Sequence, residues 1–192
     1  MFRLYKSNIN ELDDNQFQCL HSEMNPEKQK RVERFIFAND KKRTIIGDAL
    51  ARSAISEYCG IEKKSVEIFV DDYGKPYAKG IDVNFSISHS NDMVICAVSK
   101  QNIGADIEKI HPVSVDLVRR VCKDDELYNI IDDKGNINLF NFFKLWTAKE
   151  AFFKMKGRGI TSFKSVDFTE ITNIYYVDVA DGYVACIVME DV

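Results

Sequence analysis

The sequence predicts an α+β protein made of two similar α+β halves, residues 1–101 and 102–192, and three observations predict it. Helical and strand-like periodicities come in blocks rather than in strict alternation, in the order helix, strands, helices, strands. The block order repeats along the chain. No Pro-, Gly- or Ser-rich linker marks the junction near residue 102, and no internal sequence repeat accompanies it, so the halves are expected to share an interface rather than to float.

Composition sets the broad class. The 192 residues, 45% hydrophobic and 29% charged, suffice for one generous core or two small ones in an ordinary soluble chain. A formal charge of -4 argues against a general nucleic-acid binder, whose affinity comes from neutralising phosphates with many Lys and Arg, so any phosphate site must be local. Five cysteines, Cys19, Cys59, Cys96, Cys122 and Cys186, are odd in number and lack a Cys-x-x-Cys pair, which suggests neither a disulfide framework nor a thiolate zinc site. The opening MFRLYKSNINELDD has no apolar run of signal-peptide length, and no segment approaches the roughly 20 apolar residues that cross a bilayer, so a cytoplasmic location is expected.

The elements follow in order. "NPEKQKRVERFIF" gathers Lys28, Lys30, Arg31 and Arg34 within about two turns, with Lys41, Lys42 and Arg43 close behind. A solvated basic face and a phosphate contact are both open at this point. Asn39 or Asp40 can cap a helix that carries Ile45, Ile46, Ala49, Leu50, Ala54 and Tyr58 at helical spacing, and Gly60 stands where a left-handed C-cap is wanted. Short runs come next: "VEIFV" at Val66–Val70, the turn "DDYGKPY", then "NFSISHS" and "MVICAVS", neighbouring strands joined by a tight turn at Ser90-Asn91-Asp92. "IGADIE" follows. Helical spacing returns from Val113 to Ile131, and Asn138 can cap a helix through "WTAKEAFFKMKG". The last blocks are "SVDFT", "IYYVDV" and "YVACIV", with Asp181-Gly182 as a hairpin turn between the last two.

Two places hold carboxylates that a core would reject. On a helix turning about 100° per residue, Phe143 and Glu150 lie about 20° apart with Lys154 about 20° to the other side, so Glu150 interrupts an aromatic stripe. That carboxylate must be paired, as in an i, i+4 bridge to Lys154, or must bind a cation. In "GADIEKI" a strand turns Asp106 and Glu108 to one face. Solvent or a cation has to separate the two. Together with Glu150 they supply three oxygen donors from two elements, which suits Mg2+ shared with a substrate phosphate. His89, at the end of a strand beside hydroxyls, and Lys75, on a turn fixed by Gly74 and Pro76, read as a structural hydrogen-bond partner and a solvated lysine, or as further ligand contacts.

In this order and at these separations, "GKPY", "NFSISHS", "IGADIEKI" and "WTAKEAFFKMKGRGI" closely resemble the surfactin-synthetase type of 4'-phosphopantetheinyl transferase. "PEKQKRVERF" and "KKRTIIGDALARSAI" look like its N-terminal region, and the likeness runs from about Pro26 to Ile160.

The resemblance implies two halves in pseudo-twofold arrangement with coenzyme A in the cleft between them. It implies Mg2+-dependent transfer of the phosphopantetheine arm from coenzyme A to a serine of an apo acyl or peptidyl carrier protein, with adenosine 3',5'-bisphosphate released. Carried over by position, Asp106, Glu108 and Glu150 would be the Mg2+ ligands. Lys28, Arg31, Arg43, Thr44, Lys75, Ser88 and His89 would contact the phosphates and adenosine of coenzyme A, and Lys154 its pyrophosphate. Glu150 would also be the candidate base, with a water relaying the proton equally open. Arg31 stands where many members have lysine, Ala105 is smaller than the usual branched residue, and the C-terminus is shorter than in many members. A monomer is implied, acting on carriers of polyketide or nonribosomal-peptide synthesis, and Arg119 and Arg120 are candidates for a basic rim facing an acidic carrier. Neither nucleic acid nor membrane is an expected partner. A non-catalytic coenzyme A or nucleotide module and a Mg2+-dependent phosphohydrolase are the competing readings.

Overall fold

The computed structural model describes residues 1–157 and 162–191, and the chain divides into two compact units, Met1–Lys100 and Gln101–Val192. The Arg158-Gly159-Ile160 end of "WTAKEAFFKMKGRGI" lies outside the described residues. Among the described residues no helix is long and apolar enough to cross a membrane.

The first unit runs β1 (Arg3–Asn8), α1 (Asp14–Ser22), α2 (Pro26–Glu33), α3 (Ala38–Cys59), β2 (Ile68–Val70), β3 (Pro76–Ala78), β4 (Asn84–Ser90) and β5 (Met93–Ser99). Its main sheet has the order β1-β5-β4, all antiparallel, with Arg3 opposite Val98 and Phe85 opposite Val98 on the other side. The core sits between α3 and this sheet, where Ala51, Ala54 and Ile55 meet Phe85, Cys96 and Val98. Asn25 caps α2 through its side chain, and Pro26 follows at a position where a missing N–H costs nothing.

Local signals located α3 only in part. Gly60 ends it in the left-handed conformation, φ 69°, as expected. Its start lies before the Asn39 or Asp40 cap that the sequence suggested: Phe37 holds the cap position without a side-chain bond, because the Asp40 carboxylate is taken by Arg43 at 2.5 Å inside the first turn. β1 and α1 had no sequence expectation at all. The "VEIFV" run is strand only over its last three residues, and β2 pairs with β3 in a separate two-stranded hairpin whose turn is held by Asp71 Oδ1, which accepts from the N–H groups of Tyr73 and Lys75.

The second unit runs β6 (Ile103–Lys109), α4 (Val115–Val121), α5 (Leu139–Lys156), β7 (Ile174–Val177) and β8 (Tyr183–Met189), with sheet order β6-β8-β7. Asn138 caps α5 as predicted, accepting from the Asn141 N–H at 3.1 Å. The helix is buried along most of its length, from Phe142 to Met155. Two expectations are corrected. Helix α4 stops at Val121 rather than continuing to Ile131, since the Glu126 carboxylate takes the Lys123 N–H and turns the chain. "SVDFT" is no strand: single 3-10 turns at Phe163–Ser165 and Phe168–Glu170 flank Val166 and Asp167, and Asp167 holds the second by accepting from the Thr169 N–H.

Each unit has the same plan: a strand, one or more helices, then a pair of strands whose second member enters between the first two. No sequence repeat signals it.

Candidate active site

Strand β6 and helix α5 approach each other at a distance only glycine allows. A Cβ at Gly104 would stand 1.8 Å from the Ala151 carbonyl oxygen and 2.6 Å from the Met155 nitrogen. The approach puts the Gly104, Asp106 and Glu108 face of the strand against the turn of α5 that carries Glu150, Ala151 and Lys154. Asp106 is 3% exposed, which rules out a solvated face for it. The Lys154 ammonium donates to Asp106 Oδ1 at 2.6 Å.

Glu150 is half-buried one helical turn from Lys154. Burial first, and then the charges of Asp106 and Glu108, push its carboxyl up to about 7, while the Lys154 charge acts in the opposite direction. The three carboxylates therefore share one electrostatic neighbourhood. They do not yet share a coordination shell: among the described residues no three His, Cys, Asp or Glu side chains stand close enough to hold one metal ion. In donor chemistry the set fits a hard cation, since it offers carboxylate oxygens alone and a concentration of negative charge that a cation would relieve.

The residue before Glu150 anchors the helix from its other side. Lys149 is fully buried, and its ammonium donates to Glu126 Oε2 at 2.6 Å and to the Val121 carbonyl at 3.3 Å. Glu126 also accepts from the N–H groups of Lys123 and Phe168. A buried ion pair in contact with two loops fixes the rotation of α5, and with it the direction of Glu150. Sequence reading missed this pair, because its partners are 23 positions apart and carry no local signal.

The other predicted residues all lie in the first unit, where α3 organises several of them. Arg43 donates to the Asn91 carbonyl at 2.7 Å, which ties the start of α3 to the β4–β5 turn, and Thr44 bonds back to the Asp40 carbonyl. On β4, Ser88 is buried and His89 exposed. Lys75 is half-buried on the β2–β3 turn, and Arg31 is exposed on α2. Lys28, on α2, reaches Asp48 of α3 at 2.5 Å. It lines a cavity of about 820 Å³ together with Asp48, Arg52, Lys63, Met24 and Phe69. Asp48 and Arg52, buried in the middle of α3, were not among the sequence candidates.

The same residues are covered by two family models. One, described as 4'-phosphopantetheinyl transferase, N-terminal, matches residues 12–101, and the other, the 4'-phosphopantetheinyl transferase superfamily, matches residues 102–179. The chain is 31% identical over 164 residues to the 4'-phosphopantetheinyl transferase psf-1 of Bacillus pumilus, covering 83% of this chain and 70% of that protein. It belongs to the 4'-phosphopantetheinyl transferase superfamily. The 4'-phosphopantetheinyl transferase Sfp of Bacillus subtilis (strain 168) is 36% identical over 139 residues, 72% of this chain and 62% of that one. A similar relation holds for the gsp transferase of Aneurinibacillus migulanus, 31% identical over 151 residues, 79% of this chain and 63% of that one. The chain thus spans about three fifths of the length of the Sfp and gsp transferases. Among solved structures, a holo-(acyl-carrier-protein) synthase from Bacillus anthracis str. Ames in complex with CoA has a TM-score of 0.43 at 19% identity over 50% of this chain and 91% of that one, a likeness too slight to bear on function. Within the superfamily segment lie Asp106, Glu108, Glu150 and Lys154; within the N-terminal phosphopantetheinyl transferase segment lie Lys28, Arg31, Arg43, Thr44, Lys75, Ser88 and His89.

Proposed function

We propose that the protein transfers the 4'-phosphopantetheine arm of coenzyme A to a serine hydroxyl of an apo acyl or peptidyl carrier protein, in a Mg2+-dependent reaction that releases adenosine 3',5'-bisphosphate. Superfamily membership supports the reading, and the observation that carries it is the Lys154–Asp106 contact at 2.6 Å on the strand face that meets the Glu150 turn of α5; before any cation binds, the half-buried Glu150 carboxyl there is raised to about 7. A base must hold its proton weakly enough to give it up and strongly enough to take it, and a value near working pH meets both needs.

In this reading the serine oxygen forms the new bond to the phosphorus that bears the pantetheine arm. The bond from that phosphorus to the bridging oxygen breaks, and the serine proton passes to Glu150. Lys154 lies against the pyrophosphate and opposes the charge that gathers on the leaving phosphate. Asp106, Glu108 and Glu150 would hold Mg2+, which when bound supplies further charge neutralisation at the pyrophosphate. A cation held there would compete with Lys154 for Asp106 and would lower the basicity of Glu150.

Lys28, Arg31, Arg43, Thr44, Lys75, Ser88 and His89 make the contacts to the phosphates and adenosine of coenzyme A. Arg119 and Arg120, exposed in the last turn of α4, face the acidic carrier, and the protein acts as a cytoplasmic monomer. Incubation with coenzyme A and Mg2+, with and without an apo carrier, tests the proposal by mass spectrometry. A carrier mass gain equal to the phosphopantetheine arm supports it. Coenzyme A bound and unchanged in both arms would instead mean a binding module, and coenzyme A cleaved without a carrier a phosphohydrolase.

A further inference from the structure

We infer that Asp48 is a positioning residue for coenzyme A, acting through Lys28; the inference rests on the transferase reading above. Asp48 is 7% exposed in the middle of α3, and its two oxygens serve two cations: Oδ1 accepts from Lys28 Nζ at 2.5 Å and Oδ2 from Arg52 Nε at 2.8 Å. Arg52, 8% exposed, also donates Nη1 to Glu23 Oε2 at 3.2 Å, and Lys63 Nζ stands 3.3 Å from the same oxygen. The network is a chain of alternating charge, Lys28, Asp48, Arg52, Glu23, Lys63, with three cations on two carboxylates.

The imbalance decides what Asp48 does to Lys28. Within these five groups Arg52 matches the Asp48 charge and Lys63 that of Glu23, which leaves one positive charge among them, while Glu27, Lys64 and Glu67 also line the cavity. Lys28 is held in place without being neutralised. An ungripped lysine on a surface helix gives up many rotamers when it binds an anion; one clamped at its tip on a cavity wall gives up few. Clamping leaves two of its three N–H donors for a phosphate oxygen.

The test is a double-mutant cycle read in KM for coenzyme A and in kcat, with thermal melts to show that each variant is folded. Asp48→Asn keeps the volume and leaves an acceptor for Arg52. Lys28→Met is expected to raise KM by about tenfold, the usual effect of losing one charge-assisted contact. Asp48→Asn is expected to raise KM severalfold, with the effect falling on KM rather than on kcat. The double variant should match Lys28→Met alone, since Asp48 acts only through Lys28. An Asp48→Asn KM that is unchanged or lower, or a double variant whose effects multiply, overturns the inference while leaving the transferase reading intact. A Lys28→Met variant with unaltered KM removes Lys28 from coenzyme A recognition and overturns the inference with it.

Discussion

Gly104 of β6 lies so close to Ala151 of α5 that a Cβ added there would stand 1.8 Å from the Ala151 carbonyl oxygen. The clash is with backbone, which cannot swing aside as a side chain does. Gly104→Ala is therefore expected to push α5 off β6 at a cost of upwards of about 3 kcal/mol, and to abolish transfer by separating Asp106 from Lys154. Urea unfolding measures the first effect. A midpoint within error of the parent would show that the approach tolerates a methyl group.

The buried Lys149–Glu126 pair makes a different prediction. Removing one partner leaves an uncompensated charge in the core, so Glu126→Ala should cost about 3–5 kcal/mol. Glu126→Gln keeps the side-chain size and one acceptor oxygen, which can still serve Lys149 and Lys123 while the bond from the Phe168 N–H is lost, and should cost less than Glu126→Ala. Equal losses in the two variants would mean that the charge, which both remove, outweighs the packing and acceptor that glutamine retains.

Glu150 links stability to pH. Its carboxyl moves from 4.5 in the ordinary state to about 7 in the folded protein, so between these values the folded chain keeps a proton that the unfolded chain has lost. The contribution of Glu150 to stability is then greatest below about pH 4.5, falls as pH rises through the window, and levels off above about 7. Glu150→Gln cannot ionise and escapes the fall. With divalent ions chelated, the variant should be more stable than the parent at pH 8, by on the order of 1–2 kcal/mol after solvent screening, and the gap should close by pH 4. Parallel curves across this range would contradict the raised value.

Magnesium dependence tests the acid-bearing strand. Asp106→Ala should shift the Mg2+ titration of transfer to higher concentration, because one of three oxygen donors is gone. An unchanged titration would take Asp106 out of the ligand set.

Thiol labelling reports burial. Desolvation pushes Cys96 up to about 12 and, joined by the nearby Glu126 charge, Cys122 up to about 11; Cys186 is raised as well. None of the three offers thiolate at pH 8, whereas Cys19 is exposed. An aromatic disulfide reagent should label Cys19 first, and the three buried thiols only on unfolding. Rapid release of more than two equivalents from the folded protein, beyond Cys19 and the half-buried Cys59, would show that one of the three is accessible.

What was legible in the sequence was local. Gly60, Asn138 and the Ser90–Asp92 turn each act within a few residues of where they stand, and each was found where it was expected. The period-2 pattern put Asp106 and Glu108 on one face, and that face does meet α5. The long-range matches were not legible. The one-turn rule pairs Lys154 with Glu150, but the bond from its ammonium to Asp106, 48 positions back, joins residues that only the fold brings together. Lys28 with Asp48 and Lys149 with Glu126 are likewise joined only by the fold, as is β1 with β5. The start of α3 was misjudged for a local reason, since Arg43 competes for the carboxylate that would have capped it.

In both three-stranded sheets the middle strand is the last to be synthesised: β5 closes the first and β8 the second. Arg3 must wait for Val98, and Ile103 for Met189, before either finds the backbone it bonds. On the ribosome each half therefore emerges as helices and open strands that condense late and in one step. A nascent chain halted before Tyr183 already carries every acid of β6 and α5, and has no sheet to set them in.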